Sequence, residues 1–456
     1  MTDPTPAARH QPPDGAADHI RRLLDELDAH TLGAEMCALV RELYPICRSI
    51  AGDGLRQSLR TLQRVAPVAL REVPTGTPVF DWVVPREWTL RAARLIGPDG
   101  ELIVDAERLN LHVLNYSVPF RGTVPLEELE PHLHSLPEQP SLVPYRTSYY
   151  KEDWGFCLSH SQRASLRPGT YDVLIDTRLA DGSLTYGEVV LPGASAEEVL
   201  VSAHCCHPSL ANDNLSGMVL AATLARLLGG SARRYTYRFL FVPGTIGSIT
   251  WLALNEHQAQ HIAHGLVAAC VGDPGRLTYK RSRRGDAEID RAVAHVLAHG
   301  RQDYEIRDFS PYGYDERQYC SPGFNLAVGS LTRTPHGEYP EYHTSGDTPE
   351  LVRPDRLVDS LLRYLEVFEV LEGNLTYVNL SPKTEPQLGK RGLYGSVGGL
   401  SHAVASQMAL LWVLNLSDGT RSLLEVAERS KLAFPAVRAA ARALEAAGLL
   451  REKEAT

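Results

Sequence analysis

The spacing of apolar residues changes character twice along the chain. Between residues 18 and 65, apolar side chains recur every three or four positions, which predicts helices. From residue 70 to residue 117, short apolar runs are separated by turn signals such as Pro98-Asp99-Gly100, and this pattern predicts a small β-rich segment. Residues 118–148 contain many prolines and are expected to form an extended connector.

From about residue 171, buried strands alternate with helices. The clearest strands cover residues 198–203, 237–242 and 266–271, and each is mostly apolar. Strands of this kind are typical of a mostly parallel sheet that helices cover on both faces. We therefore expect an α/β fold with a three-layer core, in which ligands bind at the carboxyl ends of the strands.

The C-terminal part has a different pattern. Three helix-sized pieces at residues 404–416, 422–430 and 435–447 predict a small winged-helix module. Its last helix carries few basic residues, Arg438 and Arg442, so packing or oligomerisation is favoured over DNA binding.

These patterns divide the chain into a disordered lead-in, a core in two parts, an inserted β-rich domain, a linker and a winged-helix-like module. The lead-in covers residues 1–17, and the core covers residues 18–66 and 145–375. The inserted β-rich domain covers residues 67–144, the linker residues 376–400 and the winged-helix-like module residues 401–456.

Charge and composition restrict the class of protein. The 456 residues include 46 Lys+Arg and 55 Asp+Glu, and this net charge of −9 argues against nucleic-acid binding by the whole chain. No apolar run approaches the roughly 20 residues of a membrane helix, and the N-terminus shows no secretory signal. The seven cysteines are an odd number, which favours reduced thiols over a disulfide framework. We expect a cytoplasmic homo-oligomer that does not bind membranes.

Polar side chains gather directly after the predicted strand at residues 198–203. His204, His207 and Asp213 lie within ten residues, and imidazole nitrogen and carboxylate oxygen are both zinc ligands. One histidine after a strand is more often structural, but two histidines and a carboxylate at a strand end favour a metal site. Asp273, which follows a later strand, would by itself indicate only a turn.

Further candidates lie towards the end of the predicted core. His343 is in a loop before a helix, between Glu341 and Asp347, and Asp315 is in a loop before a strand. The order of His204, Asp213, Asp273 and His343 resembles that of the dinuclear zinc aminopeptidases.

Several other stretches resemble one bacterial branch of these proteins, the aminopeptidase-like proteins linked with polysaccharide biosynthesis. The resemblance covers about residues 20–452. It implies a phosphorylase/hydrolase-like zinc aminopeptidase core with an inserted β-rich domain and a C-terminal winged helix. The matching stretches are Tyr44-Pro-Ile-Cys-Arg-Ser-Ile, Tyr149-Tyr-Lys-Glu-Asp-Trp-Gly-Phe-Cys, His204-Cys-Cys-His-Pro, Thr245-Ile-Gly-Ser, Gly272-Asp273 and Tyr339-Pro-Glu-Tyr-His-Thr.

The resemblance also implies a ligand set for one or two zinc ions. His204 and Asp273 would hold one zinc, Asp213 would bridge to a second, and His343 would hold the second, with His207 as an alternative to His204. Such a site lowers the pKa of a bound water and polarises a substrate carbonyl.

The chain departs from the expected pattern at Gly244, where the resemblance predicts a glutamate. Glycine supplies neither a general base nor a metal ligand, and the lack of a base typically costs about 10²- to 10⁴-fold in rate. Glu341 and Glu316 are the candidate catalytic replacements, and Asp315 and Glu338 are further acids that could substitute for the glutamate.

Three arginines follow Asp273 in a basic run, Arg281, Arg283 and Arg284. They are either a solvated loop or a site that recognises a substrate carboxylate or phosphate. Asp315 and Tyr342 are further candidates for substrate binding.

Two functions follow from these observations. The first is a zinc-dependent amide or peptide hydrolase of the aminopeptidase type, acting on a small-molecule or peptide-like substrate. The second is a homologue that binds metal but has lost the chemistry through Gly244, and that acts as a binding or regulatory protein.

Overall fold

An eight-stranded mixed sheet forms the centre of the molecule. The computed structural model describes residues 15–230, 232–300, 302–393 and 401–453, with nothing stated for the side chains of residues 16 and 401–406. The predicted lead-in therefore lies outside the described residues up to residue 14, and a helix already begins at Ala16. The end of the predicted linker, residues 394–400, is also outside them.

The strands alternate with helices mainly in the second half of the core. The strands are β1 (Ala69–Pro74), β2 (Pro78–Val79), β3 (Trp82–Val83), β4 (Glu87–Ile96), β5 (Leu102–Asp105), β6 (Phe120–Pro125), β7 (Leu133–His134), β8 (Phe156–Cys157), β9 (Thr170–Ala180), β10 (Ser183–Leu191), β11 (Glu198–His204), β12 (Thr236–Val242), β13 (Ile262–Val267), β14 (Leu277–Lys280), β15 (Tyr304–Arg307), β16 (Val328–Thr332), β17 (Thr376–Asn379), β18 (Asp418–Ser422) and β19 (Leu450–Glu452). The helices are α1 (Ala16–Glu26), α2 (Ala29–Leu43), α3 (Asp53–Leu62), α4 (Leu126–Leu129), α5 (His160–Ala164), α6 (Gly217–Leu228), α7 (Ile246–Leu254), α8 (Glu256–Ala259), α9 (Glu288–His299), α10 (Glu316–Tyr319), α11 (Pro354–Gly373), α12 (Ser401–Leu416), α13 (Leu423–Ser430) and α14 (Phe434–Ala446).

The central sheet has the strand order β1-β10-β12-β11-β13-β16-β14-β15. Its middle strands, from β12 through β11 and β13 to β16, are parallel, whereas β1 and β10 are antiparallel to their neighbours. Alternate residues of β11 pack on opposite faces, since Val199 and Val201 belong to one hydrophobic cluster and Leu200 to the other. Because both faces are covered, the core has the expected three-layer α/β architecture.

A separate four-stranded antiparallel sheet, in the order β5-β4-β9-β6, packs beside the core. Strand β9 comes from Thr170–Ala180, on the far side of the predicted boundary at residue 144. Conversely, β1 lies inside the predicted insertion but pairs with β10 in the central sheet. The β-rich unit is therefore assembled from both sides of the predicted boundary.

The C-terminal module consists of a three-stranded sheet, β18-β17-β19, with helices α12 to α14. Strand β17 begins at Thr376, so the segment predicted as a linker starts with a strand of this module. Helix α14 docks on the core, where Arg438 donates to Asp18 at 2.7 Å and Arg442 pairs with the same carboxylate. The amide of Phe434 donates to Nε2 of His295 at 3.0 Å.

Two general features concern the whole described part of the chain. All seven cysteines are free thiols. Within the described ranges, none of the helices combines the length and the apolar character that a membrane crossing requires.

Candidate metal centre

The candidate site begins where β11 ends. His204 is the last residue of this strand, and an irregular turn, Ala211–Ser216, leads from the following loop into α6. The backbone of the turn is non-helical at Asp213 and Asn214, and the peptide bond between them is cis. Because β11 is parallel to both of its neighbours, the site lies at the carboxyl edge of the sheet, as expected for this class of fold.

Three histidines surround one carboxylate. Nε2 of His204 lies 2.8 Å from Oδ1 of Asp213. Nδ1 of His207 and Nε2 of His343 lie 3.1 Å and 2.9 Å from Oδ2 of the same side chain. Asp213 is fully buried. The structure therefore brings together four of the five predicted metal ligands.

Two atoms of this cluster are close without being hydrogen-bonded. Nε2 of His343 and Oδ2 of Asp213 are 2.9 Å apart, but neither forms a hydrogen bond of acceptable geometry within the described ranges. Buried polar atoms of this kind are rare in folded proteins, and a bound ion is one of their ordinary explanations. Ligand atoms of His204, His207 and Asp213 also lie within 4.8 Å of one another. Imidazole nitrogens and a carboxylate are the donor set that zinc takes, so these residues fit the ion.

Charge within the cluster is strongly coupled. Burial disfavours the ionised form of Asp213, but His207 and His204 outweigh it and hold the pKa of this carboxyl well below its usual value. Burial opposes charge on His207 as well, yet Asp213 raises the pKa of its imidazole well above the ordinary range. Burial is the main reason that the pKa of His204 and that of His343 are lowered. The carboxylate of Asp213 is thus held in its ionised form.

Neighbouring side chains fix the orientation of the cluster. The amide of Asn214 donates to the carbonyl oxygen of His204 at 3.2 Å and lies 3.3 Å from its Nδ1. Asp347 accepts from the backbone amide of Asp213 at 3.0 Å. The buried guanidinium of Arg48 donates to the carbonyl of His207 at 2.7 Å. Partners of this kind hold metal ligands in a single geometry.

Aromatic rings form the wall of the site. Tyr314 stacks on His204 with ring centroids 4.3 Å apart, and its hydroxyl donates to Oδ1 of Asp213 at 2.7 Å. Tyr342 stacks on His343 at 3.9 Å, so this predicted substrate-binding residue does lie at the cluster. Tyr145 contacts the rings of His207 and His343, each at 5.1 Å. Tyr314 was missed from sequence, although its position directly before Asp315 was a signal.

The structure does not bring Asp273 into the cluster. Oδ1 of Asp273 accepts from the amide of Gly275 at 2.8 Å and from the hydroxyl of Thr334 at 2.5 Å. Oδ2 accepts from the amide group of Asn212 at 3.1 Å and from the backbone of Thr334 at 3.2 Å. A carboxylate has about four lone-pair positions, and four donors occupy them here. Asp273 therefore connects neighbouring loops through hydrogen bonds, and its geometry does not support a role as a zinc ligand.

The loop at Gly244 lies against the cluster, as predicted. A Cβ at this position would be 3.1 Å from Cβ of His204 and 3.9 Å from Oδ2 of Asp315.

Asp315 is fully buried, and its Oδ1 accepts from the hydroxyl of Ser248 at 2.6 Å. Its Oδ2 has no hydrogen-bond partner among the described residues. Burial raises the pKa of Asp315 to about 7. A carboxyl group that can exchange a proton near neutral pH thus stands beside the position where a glutamate was expected.

The two carboxylates predicted as catalytic are placed elsewhere. Glu316 forms an ion pair with Lys280 at 2.6 Å, outside the histidine cluster. Glu341 lies in the same loop as His343. Its backbone carbonyl accepts a hydrogen bond from the hydroxyl of Thr344 at 2.8 Å. Across the described ranges, the carboxylate of Glu341 forms no hydrogen bond or ion pair with the cluster. Neither placement supports a direct catalytic role.

The basic run makes local contacts. Arg283 donates to the side chain of Asn325 at 2.8 Å, and Arg284 donates to the backbone carbonyl of Asn325 at 2.9 Å. Arg281 donates to the carbonyl of Gly285 at 2.6 Å. These contacts fit the interpretation as a surface loop, and recognition of a substrate anion stays a prediction.

Cys270 is a buried thiol that sequence reasoning missed. Its Sγ lies 4.0 Å from Oδ1 of Asp213 and 3.8 Å from the hydroxyl of Tyr339. Cys206 donates to the carbonyl of Gly244 at 3.8 Å, whereas Cys205 is packed in the hydrophobic core. Cys205 therefore behaves as a small buried hydrophobic residue.

Comparison with known proteins places the chain among relatives along most of its length. The family model described as "Domain of unknown function (DUF4910)" matches residues 37–374, and one described as "winged helix-turn-helix" matches residues 375–452. A protein of Clostridium acetobutylicum is 48% identical over 419 residues, which are 92% of this chain and 96% of the relative. Its name is "Putative polysaccharide biosynthesis protein with aminopeptidase-like domain".

Solved structures confirm the expected fold. A "putative peptidase" from Clostridium acetobutylicum superposes with a TM-score of 0.91 at 46% identity, covering 96% of this chain and 100% of that one. A zinc aminopeptidase from Bacillus subtilis has a TM-score of 0.55 at 14% identity, covering 74% and 94% of the two chains. A peptidase M28 precursor from Shewanella amazonensis has a TM-score of 0.54 at 13% identity, covering 78% and 96%. The α/β core and the C-terminal winged helix are therefore as the sequence predicted.

Proposed function

The chain belongs to the family described as a domain of unknown function (DUF4910), and we propose that it is a zinc-dependent amide hydrolase of the aminopeptidase type. Its substrate would be a small peptide-like compound or biosynthetic intermediate. The name of the 48% identical relative supports this proposal, since it combines polysaccharide biosynthesis with an aminopeptidase-like domain. The fold, which this chain has in common with zinc aminopeptidases, supports it further.

One observation carries the proposal. His343 and Asp213 place two buried ligand-type atoms 2.9 Å apart with no hydrogen bond between them. His207 lies 3.1 Å from the same carboxylate oxygen. Three protein ligands of this kind around one zinc would leave its fourth position open, which is typical of catalytic sites. His204 faces the other carboxylate oxygen, so His204 and Asp213 would hold a second zinc if one binds.

A zinc ion held here would lower the pKa of a water molecule and polarise the carbonyl of the scissile amide. The remaining parts of the mechanism belong to the chain itself. Tyr314 and Asn214 hold Asp213 and His204 in one orientation. The rings of Tyr145 and Tyr342 cover His207 and His343 and limit the access of bulk water.

Asp315 is the proposed proton-transfer group in place of a glutamate at 244. Its unpaired Oδ2 lies beside Gly244 and towards the His204 side of the cluster. Ser248 holds the other oxygen at 2.6 Å, which orients the carboxyl group. A carboxyl group with a pKa near the working pH can both accept and return a proton.

The test is hydrolysis of aminoacyl nitroanilides by the full chain, with and without a chelator, and with zinc added back. We expect turnover that the chelator abolishes and zinc restores. Asp315→Asn should lower kcat by about 10²- to 10⁴-fold while zinc stays bound. Asp273→Asn is the matched control, because Asp273 is also a buried carboxylate in a loop but lies outside the cluster.

A second function is favoured by Gly244 alone. Without a glutamate at this position, the chain would bind metal and act as a binding or regulatory protein. A natural protein that holds zinc but hydrolyses none of a broad substrate panel would support this second function against the first.

A further inference from the structure

A second cavity, of about 380 Å³, lies close to the histidine cluster. Strands β14 and β16 contribute Thr278 and Ser330 to its lining, and His336 lines it from the side of the cluster. The ring of His336 is 4.9 Å from that of Tyr314, which in turn stacks on His204. The ring of Tyr314 therefore contacts both a residue that lines this cavity and one of the candidate metal ligands.

The two cations of the cavity already have partners. Nζ of Lys280 lies 2.6 Å from Oε1 of Glu316 and donates to the carbonyls of Tyr312 and Ser310 at 2.8 Å and 3.2 Å. An ammonium group has three donors, so all three are used. Arg307 pairs with Glu338 through both of its terminal nitrogens. Both cations are therefore already paired with carboxylates of the chain.

One carboxylate oxygen of the cavity is unpaired. The side chain of Glu316 is 2% exposed and belongs to the lining, and its Oε2 has no hydrogen-bond partner in the described part of the chain. Gly313 makes room for this arrangement, because a Cβ at 313 would collide with Oε1 of Glu316 and stand 2.6 Å from Nζ of Lys280. A buried, unpaired carboxylate oxygen costs free energy unless a ligand donates to it.

We propose that this cavity is a specificity pocket for a substrate group that ends in a primary ammonium, with Oε2 of Glu316 as its acceptor. Three carboxylates line the cavity, Asp308, Glu316 and Glu338, against the two cations Lys280 and Arg307. Asp308 is exposed and lies 3.8 Å from Arg281, so the unpaired oxygen of Glu316 is the feature that favours a cationic ligand. The hydroxyls of Thr278 and Ser330 offer further acceptors. The proposal rests on the proposed function of the neighbouring cluster, which would hold the reacting end of the same substrate.

The arrangement discriminates against other substrate groups. A carboxylate would be repelled by Glu316, and both cations of the cavity are already paired with carboxylates. An apolar group would leave Oε2 buried and unpaired. Because hydrogen bonds to charged groups contribute about 1.5–3 kcal/mol, an ammonium should bind about 10-fold or more tightly than an apolar group of similar size.

The test measures binding of three zinc-chelating probes, the hydroxamates of lysine, leucine and glutamate, to the zinc-loaded full chain by calorimetry. The hydroxamate and the α-amine are common to all three, so differences report the side-chain pocket. We expect the lysine compound to bind about 10-fold or more tightly than the leucine compound, and the glutamate compound to bind weakest. This comparison on the natural protein does not depend on any variant folding correctly.

Two variants locate the effect. Glu316→Gln should remove the preference for lysine. Glu338→Gln is the matched control, since it removes the same charge from the same cavity but affects a carboxylate that Arg307 already holds. It should keep the preference.

Equal or tighter binding of the leucine or glutamate compound overturns the pocket proposal, and so does binding of none of the three. Loss of the preference in Glu338→Gln as well would also overturn it, because general charge rather than Glu316 would then be responsible. A preference for lysine without any hydrolysis would reject the proposed hydrolase and leave the pocket standing, whereas hydrolysis without the preference would reject the pocket alone.

Discussion

The hydroxyl of Tyr314 donates to Oδ1 of Asp213 at 2.7 Å. The two residues are 101 positions apart in the chain, and the ring of the same tyrosine stacks on His204. Tyr314 thus links the loop after β11 to the loop that carries Asp315. Under the proposed function it would be a positioning residue, because it would act on the substrate through the carboxylate that it orients.

Tyr314→Phe should keep the stacking and remove the hydrogen bond to Asp213, together with the contact to the hydroxyl of Tyr342. Because one hydrogen bond to a charged group is lost, we expect kcat to fall about 10-fold, with KM changing much less. Zinc content, measured by elemental analysis, should stay unchanged. Tyr342→Phe is the control, since its hydroxyl lies 3.1 Å from that of Tyr314 but forms no hydrogen bond with Asp213 in the described ranges. Loss of zinc in Tyr314→Phe would show that the tyrosine is required for the metal and not for positioning.

Changes at Gly244 and Asp315 test whether Asp315 is the proton-transfer group of the proposed hydrolysis. In an Asp315→Asn background, Gly244→Glu should restore part of the lost turnover, because the new side chain would start 3.9 Å from the position of the removed carboxylate oxygen. In the natural background the same change should bring little gain, since a Cβ at 244 stands 3.1 Å from Cβ of His204 and crowds it. If Gly244→Glu raises nitroanilide hydrolysis about 10²-fold in the natural background, Asp315 is not the working base.

The docking of the winged-helix module should depend on pH through His295. Its neutral ring accepts from the amide of Phe434, and burial together with the neighbouring His299 lowers its pKa to about 4. The imidazole of His295 binds a proton near pH 6.5 in the unfolded chain but only near pH 4 in the folded chain. The contribution of His295 is therefore complete above pH 6.5 and is lost as the pH falls towards 4, by about 3 kcal/mol.

His295→Gln keeps a hydrogen-bond acceptor and removes the titrating group. Urea unfolding at several pH values should show a variant whose stability falls less steeply than that of the natural protein between pH 6.5 and pH 4. Parallel curves for the two proteins would contradict the assignment to His295.

The ion pairs of Asp18 should hold the module on the core. Arg438 and Arg442 both contact this carboxylate, which is 18% exposed, so Asp18→Ala should destabilise the protein by about 1–2 kcal/mol. Asp25→Ala is a matched control on the same helix, because Asp25 is 64% exposed and meets Arg21 only at 3.9 Å. It should change the free energy of unfolding by less than about 0.5 kcal/mol. Equal effects of the two changes would argue against docking through Asp18.

The contacts of Arg438 and Arg442 with Asp18 also concern the question of whether the module binds nucleic acid. The helix that would enter a DNA groove uses Arg438 and Arg442 to hold the core, which supports the prediction that the module serves in packing. The predicted homo-oligomer stays a prediction.

Much of the fold was predictable because its physical basis is local. Runs of apolar residues predicted β11 and β12, and polar residues at the end of β11 predicted His204, His207 and Asp213 as one group. The boundaries of the β-rich unit were not predictable in this way. Strand β1 falls in the predicted insertion and β9 in the predicted core, and only their pairing assigns β1 to the central sheet and β9 to the small sheet.

The division of roles among carboxylates required the structure. Asp315 and Glu316 are adjacent in sequence, but Asp315 meets Ser248 near the cluster and Glu316 pairs with Lys280 in the second cavity. Asp273 fits the expected order of ligands, yet donors distant in sequence, such as Asn212 and Thr334, occupy its oxygens. What surrounds a loop carboxylate depends on contacts that no spacing pattern contains.

The most direct test of the account is the zinc content of the natural protein and of Asp213→Asn, measured by elemental analysis after incubation with zinc and removal of the excess. All three histidines of the cluster face Asp213, so the account predicts at least one zinc per chain in the natural protein and its loss in a variant whose circular dichroism is unchanged. Natural protein that holds no zinc, or an Asp213→Asn variant that keeps the full amount, would contradict it.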